Sequence, residues 1–316
     1  MPEPTINSRS LPNDLPPDRL LLRPEDDFGH VGLDPKRAGW RYLSYVVHDF
    51  HSSRRSIVSI VPAPGEETCV VVQAGRDVVI ADEDGGRWEL PGRESVFDDL
   101  PSAIWLPDGR QLTIEVRRPP ARRMSIFAVA RAPRSSRDGV ATDPIVVRPA
   151  DVVVEIRGAG NASRQINHIV APTFPADRLE VVEVLTPSGN WSSWPPHKHD
   201  VDDMPGEAVL EEIYHYRFRR PEAWAIQRVY RADRTRDAIW EVRDGDVVIV
   251  PDGYHPFTAA HGDDAYYLNA LAGDRRTMAC SFDPELDWVR ETWATMEADP
   301  RLPLVPPVGA GTGVPA

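Results

Sequence analysis

The chain is predicted to be all-β, with two tandem β-barrel domains and a short C-terminal helix. Three observations carry this. Strand signals are short, dense and separated by turns, the pattern of a sandwich or barrel. Proline is abundant, at 32 of 316 residues, which suits loops and sheet edges and disfavours long helices. The strand pattern restarts after residue 150, and a Pro-Asp-Gly segment occurs in both halves. The expected divisions are a flexible segment over 1–20, a first, degenerate barrel over 21–150, a second barrel over 151–283, and a helix with a loose tail over 284–316.

Taken in order, the first twenty residues are proline-rich and are expected to be loose, as is the stretch from Val305 to Ala316. Cys69-Val70-Val71-Val72 and Asp77-Val78-Val79-Ile80 read as strands, with Ala74-Gly75-Arg76 as the turn between them. Arg87 to Leu90, Ala103 to Leu106 and Gln111 to Val116 continue the pattern. It resumes with Val152 to Ile156, Leu179 to Val184, Ile213 to Tyr216, Ala225 to Tyr230, Ala238 to Val242, Val247 to Val250 and Tyr266 to Asn269. Pro284 to Glu297 reads as a helix, because Leu286, Val289, Trp293 and Met296 recur on one face. Trp288 and Trp293 there read as packing anchors. Trp105-Leu106-Pro107-Asp108-Gly109-Arg110 echoes Ile249-Val250-Pro251-Asp252-Gly253-Tyr254-His255. The first copy has no histidine, and none occurs between His51 and His168, so a duplication with metal in the second copy alone is expected.

Composition narrows the function classes. A formal charge of −13 argues against a nucleic-acid partner, whose recognition needs clustered Lys and Arg. The run Arg117-Arg118-Pro119-Pro120-Ala121-Arg122-Arg123 reads as a solvated loop. Apolar runs such as Val247 to Val250 are far too short to cross a bilayer. Met1-Pro2-Glu3-Pro4 shows no basic region followed by an apolar stretch, so no secretory signal is read. Two cysteines, Cys69 and Cys280, make no disulfide framework, and a reducing cytoplasm is the expected location. Both read as buried apolar residues.

His197 and His199 are the most informative residues. In a strand, positions i and i+2 share a face, so two imidazoles at that spacing can grip one ion. An acidic pair, Glu211-Glu212, and then His255 follow. Three imidazoles and a carboxylate suit one divalent transition metal: zinc, manganese, iron or nickel.

The spacing and turn residues resemble the two metal motifs of the cupin superfamily. In the first motif a glycine precedes His-x-His and a glutamate follows. Here Gly189 precedes, and the glutamate lies beyond Val201 to Val209, which reads as an inserted acidic loop. Glu212 and Tyr214 share one strand face, and Ile213 and His215 the other. Glu211 points away from Glu212, so one of the two is the ligand; Glu212 is preferred, with Glu211 in reserve. The second motif supplies Gly245, Pro251, Gly253 and His255. His261 competes for that corner but sits in a polar Gly262-Asp263-Asp264 context and reads as surface. The resemblance thus implies His197, His199, Glu212 and His255 as the metal ligands.

A narrower resemblance rests on Gly158 to Gln165, Asn190 to Asp200, Gln227-Arg228-Val229-Tyr230, Gly253-Tyr254-His255-Pro256 and Tyr266-Tyr267-Leu268-Asn269. Together these look like the 5-deoxyglucuronate isomerases of bacterial myo-inositol breakdown. That family is similar to the 4-deoxy-5-threo-hexosulose-uronate ketol-isomerases. The departures are Ala223-Trp224, where the family has Gly-Phe, and Asp274, where it tends to have proline; they bear on substrate contacts. The resemblance implies a bicupin of jelly-roll barrels with one metal per chain.

It also implies isomerisation of 5-deoxy-D-glucuronate to 5-dehydro-2-deoxy-D-gluconate. A divalent ion suits this chemistry as a Lewis acid, and a base must move a proton between adjacent carbons. Tyr214, Lys198, Tyr254 and His215 are candidates for that base by position, and a hydride shift stays open. The substrate carboxylate wants a fixed cation, for which Arg164 and Arg228 are the candidates. The expected partner is a small sugar acid bound by a homo-oligomer, with no nucleic acid and no membrane. A cupin dioxygenase, needing ferrous iron and O2, and a non-catalytic sugar-binding cupin are the alternatives.

Overall fold

The computed structural model describes residues 15–24, 31–51, 56–121, 124–135 and 137–309. The first fourteen residues of the expected loose segment, Arg122 and Arg123 of the basic run, and residues 310–316 lie outside these.

Nearly all regular structure is β. In chain order the strands are β1 (Leu21–Leu22), β2 (Val31–Leu33), β3 (Ser44–His51), β4 (Ser56–Ile60), β5 (Glu66–Asp82), β6 (Arg87–Arg93), β7 (Ser102–Leu106), β8 (Leu112–Arg118), β9 (Met124–Pro133) and β10 (Ile145–Val147). After residue 150 come β11 (Val153–Arg157), β12 (Arg164–Val170), β13 (Leu179–Thr186), β14 (Trp191–Ser192), β15 (His197–Lys198) and β16 (Glu211–Phe218). The last are β17 (Ala225–Tyr230), β18 (Asp237–Val242), β19 (Val247–Val250), β20 (Phe257–Ala259), β21 (Ala265–Ala272) and β22 (Ser281–Phe282).

Strands β2 to β10 build a nine-stranded sheet around β5. The two strands expected at 69–72 and 77–80 are this one strand. The expected turn is a bulge between Val72 and Ala74, followed by Gly75 at φ 132° and Asp77 at φ 52°. The bulge bends the strand. Its first part therefore pairs with β7 and β9, and its second with β6 and β8. The space it wraps is filled by apolar side chains, including Val70, Val72, Val78, Ile80, Ile104, Leu112, Ile114 and Phe127.

A seven-stranded antiparallel sheet runs β1-β19-β16-β21-β13-β12-β11, and a four-stranded one runs β14-β20-β17-β18. Leu21 and Leu22, at the start of the first expected barrel, pair with Val248 and Val247 of the second half. One face of the seven-stranded sheet packs Val182, Val184, Tyr214, Tyr216 and Tyr267 against Ala225, Val229 and Phe257 of the smaller sheet. Its other face packs Val181, Ile213, Ile249, Leu268 and Ala270 against Tyr45, Val47, Cys69, Val71 and Ala128. A sheet covered on both faces explains why β13 and β21 are buried along their whole length.

Charged groups tie the halves together. Arg93 and Glu183 form an ion pair with both side chains fully buried. Glu67 accepts hydrogen bonds from Trp105 Nε1 and from the backbone N–H groups of Asp177, Arg178 and Leu179.

The C-terminal helix is shorter than expected. Val289–Thr292 form α-helix and Trp293–Thr295 a 3₁₀ turn, with turns before them. Trp288 and Met296 are exposed, and Leu286, Val289 and Trp293 are only half-buried. The apolar face has too little to pack against to hold a longer helix. At the inner end of each expected loose segment the chain is fastened. Leu20 is fully buried, and Val305 exchanges two hydrogen bonds with the Gln165 side chain. Among the described residues no helix is long and apolar enough to cross a membrane.

Candidate metal centre and substrate cavity

Strand β16 alternates as its sequence requires. Glu212 and Tyr214 face the interior between the two C-terminal sheets, while Ile213 and His215 face the first half of the chain. The loop before β16 carries His199, and a turn after β19 carries His255. Gly253 takes φ 83° in that turn, and a Cβ there would lie 2.4 Å from the Tyr230 carbonyl oxygen, so glycine is required. Asp200 Oδ2 accepts the Gly253 N–H at 2.8 Å and so locks the two ligand-bearing loops together. Lys198 points away from the interior and binds Asp200 and Glu207 at 2.7 and 2.8 Å.

His199, Glu212 and His255 converge, with one ligand atom from each within 4.8 Å of the others. His199 Nδ1 lies 3.0 Å from the Leu210 carbonyl and His255 Nδ1 2.9 Å from the Gly253 carbonyl. A carbonyl can only accept, so both Nδ1 atoms carry the proton and both Nε2 atoms turn to Glu212 Oε2, at 2.8 and 3.3 Å. Burial holds His255 down to about 4, although the Glu212 charge opposes it. Its Nε2 is therefore a bare lone pair facing a carboxylate oxygen, and it has no hydrogen-bond partner. Such a donor set fits a divalent cation, and carbonyl-oriented imidazoles are the usual support of a metal ligand. The His197 ring packs 4.6 Å from that of His255 and 6.3 Å from that of His199, outside the group of three. Burial, and then the neighbouring His255 and His199, hold it well below the ordinary imidazole range.

Glu211 has a different task. Its carboxylate accepts the N–H groups of Arg41, Tyr42 and Leu43 at 2.6, 3.0 and 2.8 Å, clamping the first half onto β16.

The cluster opens into a cavity of about 760 Å³ lined also by Arg157, Arg164, His168, Ser193, Tyr214, Tyr267 and Asn269. Arg164 is 6% exposed. Its Nη1 donates to the Ala162 and Trp194 carbonyls, each at 3.2 Å, and no carboxylate lies within ion-pair distance among the described residues. Burial brings the guanidinium down to about 10. Arg164 lies on β12 and Glu212 on β16, with β13 and β21 between them. The register row Gln165–Leu185–Tyr266–Arg217 sets Arg164 about six residues further along the strands than Glu212, so the two lie towards opposite ends of the sheet as well as three strands apart.

The other expected residues are elsewhere. Arg228 is bound bidentately by Asp237 at 2.8 and 2.7 Å and lies over the Tyr230 ring, so it does not reach the cavity. Tyr254 is buried against Tyr230. His215 Nδ1 lies 2.8 Å from the Tyr45 hydroxyl, in the contact between the halves. His261 is exposed. Of the four base candidates, only Tyr214 lines the cavity.

Sequence reasoning missed His168 and Arg157. On β12, Arg164, Ile166 and His168 share a face by alternation, so naming Arg164 already implied His168. Glu155 accepts from His168 Nε2 at 2.9 Å and from Arg157 at 2.7 and 2.9 Å. Burial raises that carboxyl, but these bonds outweigh it and hold it at about 2.

A family model described as the KduI/IolB family matches residues 21–289. A protein of Geobacillus kaustophilus (strain HTA426) named 5-deoxy-glucuronate isomerase is 38% identical over 280 residues, covering 87% of this chain and 96% of that one. The crystal structure of an IolB-like protein from Salmonella typhimurium LT2 superposes with a TM-score of 0.78 at 32% identity, over 85% of this chain and 98% of that one. Lactobacillus farciminis oxalate decarboxylase shares the fold alone, at a TM-score of 0.55 and 11% identity, over 83% of this chain and 88% of that one. With the model match spanning most of its length and relatives this similar end to end, the chain belongs to the KduI/IolB family.

Proposed function

We propose that the protein is a metal-dependent aldose–ketose isomerase that converts 5-deoxy-D-glucuronate to 5-dehydro-2-deoxy-D-gluconate in myo-inositol catabolism. The carrying observation is one cavity that joins a His/Glu cluster to a buried arginine with no acid partner among the described residues. Relatives named 5-deoxy-glucuronate isomerase support the substrate. The same reading takes the chain as a cytoplasmic, homo-oligomeric bicupin. Its jelly-roll barrels meet near residue 150, the second alone holding a metal, zinc, manganese, iron or nickel.

In this reading His199, Glu212 and His255 would hold the ion, with His197 beside His255 as the expected fourth ligand. When bound, the ion supplies Lewis-acid polarisation of the adjacent carbonyl and hydroxyl oxygens of the sugar. Arg164 binds the carboxylate at the far end of the substrate, because a desolvated guanidinium lacking a counter-ion gains a strong bidentate partner there. Arg164, anchoring that end, then orients the sugar so that its reactive end faces the cluster. Arg157 and His168, held by Glu155, line the same cavity. Tyr214 stands beside Glu212 and offers its hydroxyl to the reacting oxygens. Burial pushes that phenol well above its ordinary range, so it acts as a neutral hydrogen-bonding group.

The test is direct. Purified protein is incubated with 5-deoxyglucuronate, and ketose is followed with and without a chelator, in air and without O2. Ketose formation that a chelator abolishes and O2 does not affect is expected. Strict O2 dependence would favour a dioxygenase, and no conversion by metal-replete protein would leave a binding module.

A further inference from the structure

Two hydroxyls face the cavity as a bonded pair. Ser193 Oγ lies 2.7 Å from the Tyr214 hydroxyl oxygen, and either can donate. Both side chains are buried, and both line the cavity with His197, His199 and Glu212. Tyr214 follows Glu212 by two residues on β16, so its ring stands next to that carboxylate on the same face. It lies 5.9 Å from the His255 ring and 4.7 Å from the Tyr267 ring.

The backbone at Ser193 is unusual. Its φ is 50°, in the left-handed region that a residue with a Cβ enters only at an energetic cost. Glycine would remove that cost but would bring no hydroxyl. Ser192 is committed elsewhere, accepting from Thr186 Oγ1 at 3.0 Å and from the Tyr267 hydroxyl at 2.9 Å. The strained residue is thus the one whose hydroxyl meets Tyr214 at the cavity wall. Strain of this kind gathers at working sites.

Aldose–ketose isomerisation moves two protons. A C–H bond at C2 breaks and one forms at C1, while the O–H bond at O2 breaks and one forms at O1. The second transfer joins oxygens on adjacent carbons. Resting on the isomerase reading, we propose that Ser193 and Tyr214 form the relay for it. Tyr214 takes the O2 proton as it passes its own to Ser193, and Ser193 delivers its proton to O1. The O–H bonds at O2, Tyr214 and Ser193 break; new ones form at Tyr214, Ser193 and O1. No charge is left behind, and both hydroxyls are regenerated. Ser193 supplies the second oxygen that a lone tyrosine lacks.

The test compares Ser193→Ala, Ser193→Gly, Tyr214→Phe and the double variant Ser193→Ala/Tyr214→Phe in the metal-loaded enzyme. Alanine keeps the strain and loses the hydroxyl, whereas glycine loses both, so a folding failure of the first leaves the second to decide. For each single variant kcat should fall about 100-fold, as for the loss of a proton-transfer group. Metal content and Tm should stay near wild type. Calorimetry should show affinity for the borohydride-reduced substrate, which keeps both oxygens and has no aldehyde, falling by no more than about tenfold, the loss of one hydrogen bond. The double variant should be no slower than Tyr214→Phe alone, because the two hydroxyls act as one unit. A wild-type enzyme that fails to convert 5-deoxyglucuronate would remove the isomerase reading itself. If wild type turns over and the Ser193 variants keep kcat within about twofold, or the single losses multiply in the double variant, the relay alone is overturned.

Discussion

Replacing Arg164 by methionine should separate binding from stability. The guanidinium is buried and, among the described residues, donates to two carbonyls and has no acid partner. Burial brings it down to about 10, which corresponds to a desolvation burden on the order of 3 kcal/mol. Methionine removes that burden and fills similar space. It also leaves the Ala162 and Trp194 carbonyls without their donor, at about 1 kcal/mol or more each. The two effects nearly offset, so Tm should move by only a few degrees. Binding should respond very differently. Loss of a desolvated charge pair with the substrate carboxylate costs about 2–5 kcal/mol, or roughly 30- to several-thousand-fold in affinity. The assay is steady-state isomerisation of 5-deoxyglucuronate, with metal content and thermal unfolding measured on the same preparation. A large rise in KM with metal retained is expected. A KM within about threefold of wild type would refute the assignment. A collapse of Tm by ten degrees or so, or loss of metal, would show that Arg164 is a structural arginine after all.

Arg228→Ala should leave KM and kcat near wild type, since its exposed pair with Asp237 lies off the cavity; a large rise in KM would reinstate it as a substrate group. Glu212→Gln should sharply lower metal content by elemental analysis, whereas Glu211→Gln should lower Tm and spare the metal, because Glu211 clamps three backbone N–H groups. Metal lost from Glu211→Gln and kept by Glu212→Gln would reverse the two roles. Arg93→Ala should destabilise by about 3–5 kcal/mol in urea unfolding, as it leaves Glu183 buried and unpaired; a change below about 1 kcal/mol would contradict this. Glu180, fully buried on β13, has its carboxyl raised to about 7 by burial. A folded pKa above the unfolded one favours the protonated fold, so that stabilisation is complete below the ordinary carboxylate range and lost as pH rises through 7. In chelator-treated protein the advantage of Glu180→Gln over wild type should therefore grow by on the order of 3 kcal/mol between pH 4.5 and 8, and a pH-independent difference would refute it.

How much was legible in the sequence depended on the range of the signal. Alternation is local, and it correctly set Glu212 and Tyr214 against Ile213 and His215 on β16. It misread the segment around Gly75, where a left-handed glycine inside a bulge and a left-handed glycine in a turn leave the same residues in the chain. It also overstated the helix near residue 290, because an apolar stripe at helical spacing says nothing about whether a partner surface exists to cover it. Site residues divide the same way. Spacing singled out the histidine pair, of which only His199 joins Glu212 and His255. Arg164 and Arg228 looked alike in sequence, and what distinguishes them is a neighbour brought in by sheet pairing: Asp237, on β18 and diagonal to Arg228, pairs with one, while no described carboxylate pairs with the other. Ser193 had no such signal, since a positive φ at a non-glycine residue is imposed by tertiary contacts. The roles hardest to read were therefore those decided by what a residue lacks, a counter-ion for Arg164 and a relaxed backbone for Ser193. On the proposed reading, the cavity gains in both cases a group free to act on a substrate.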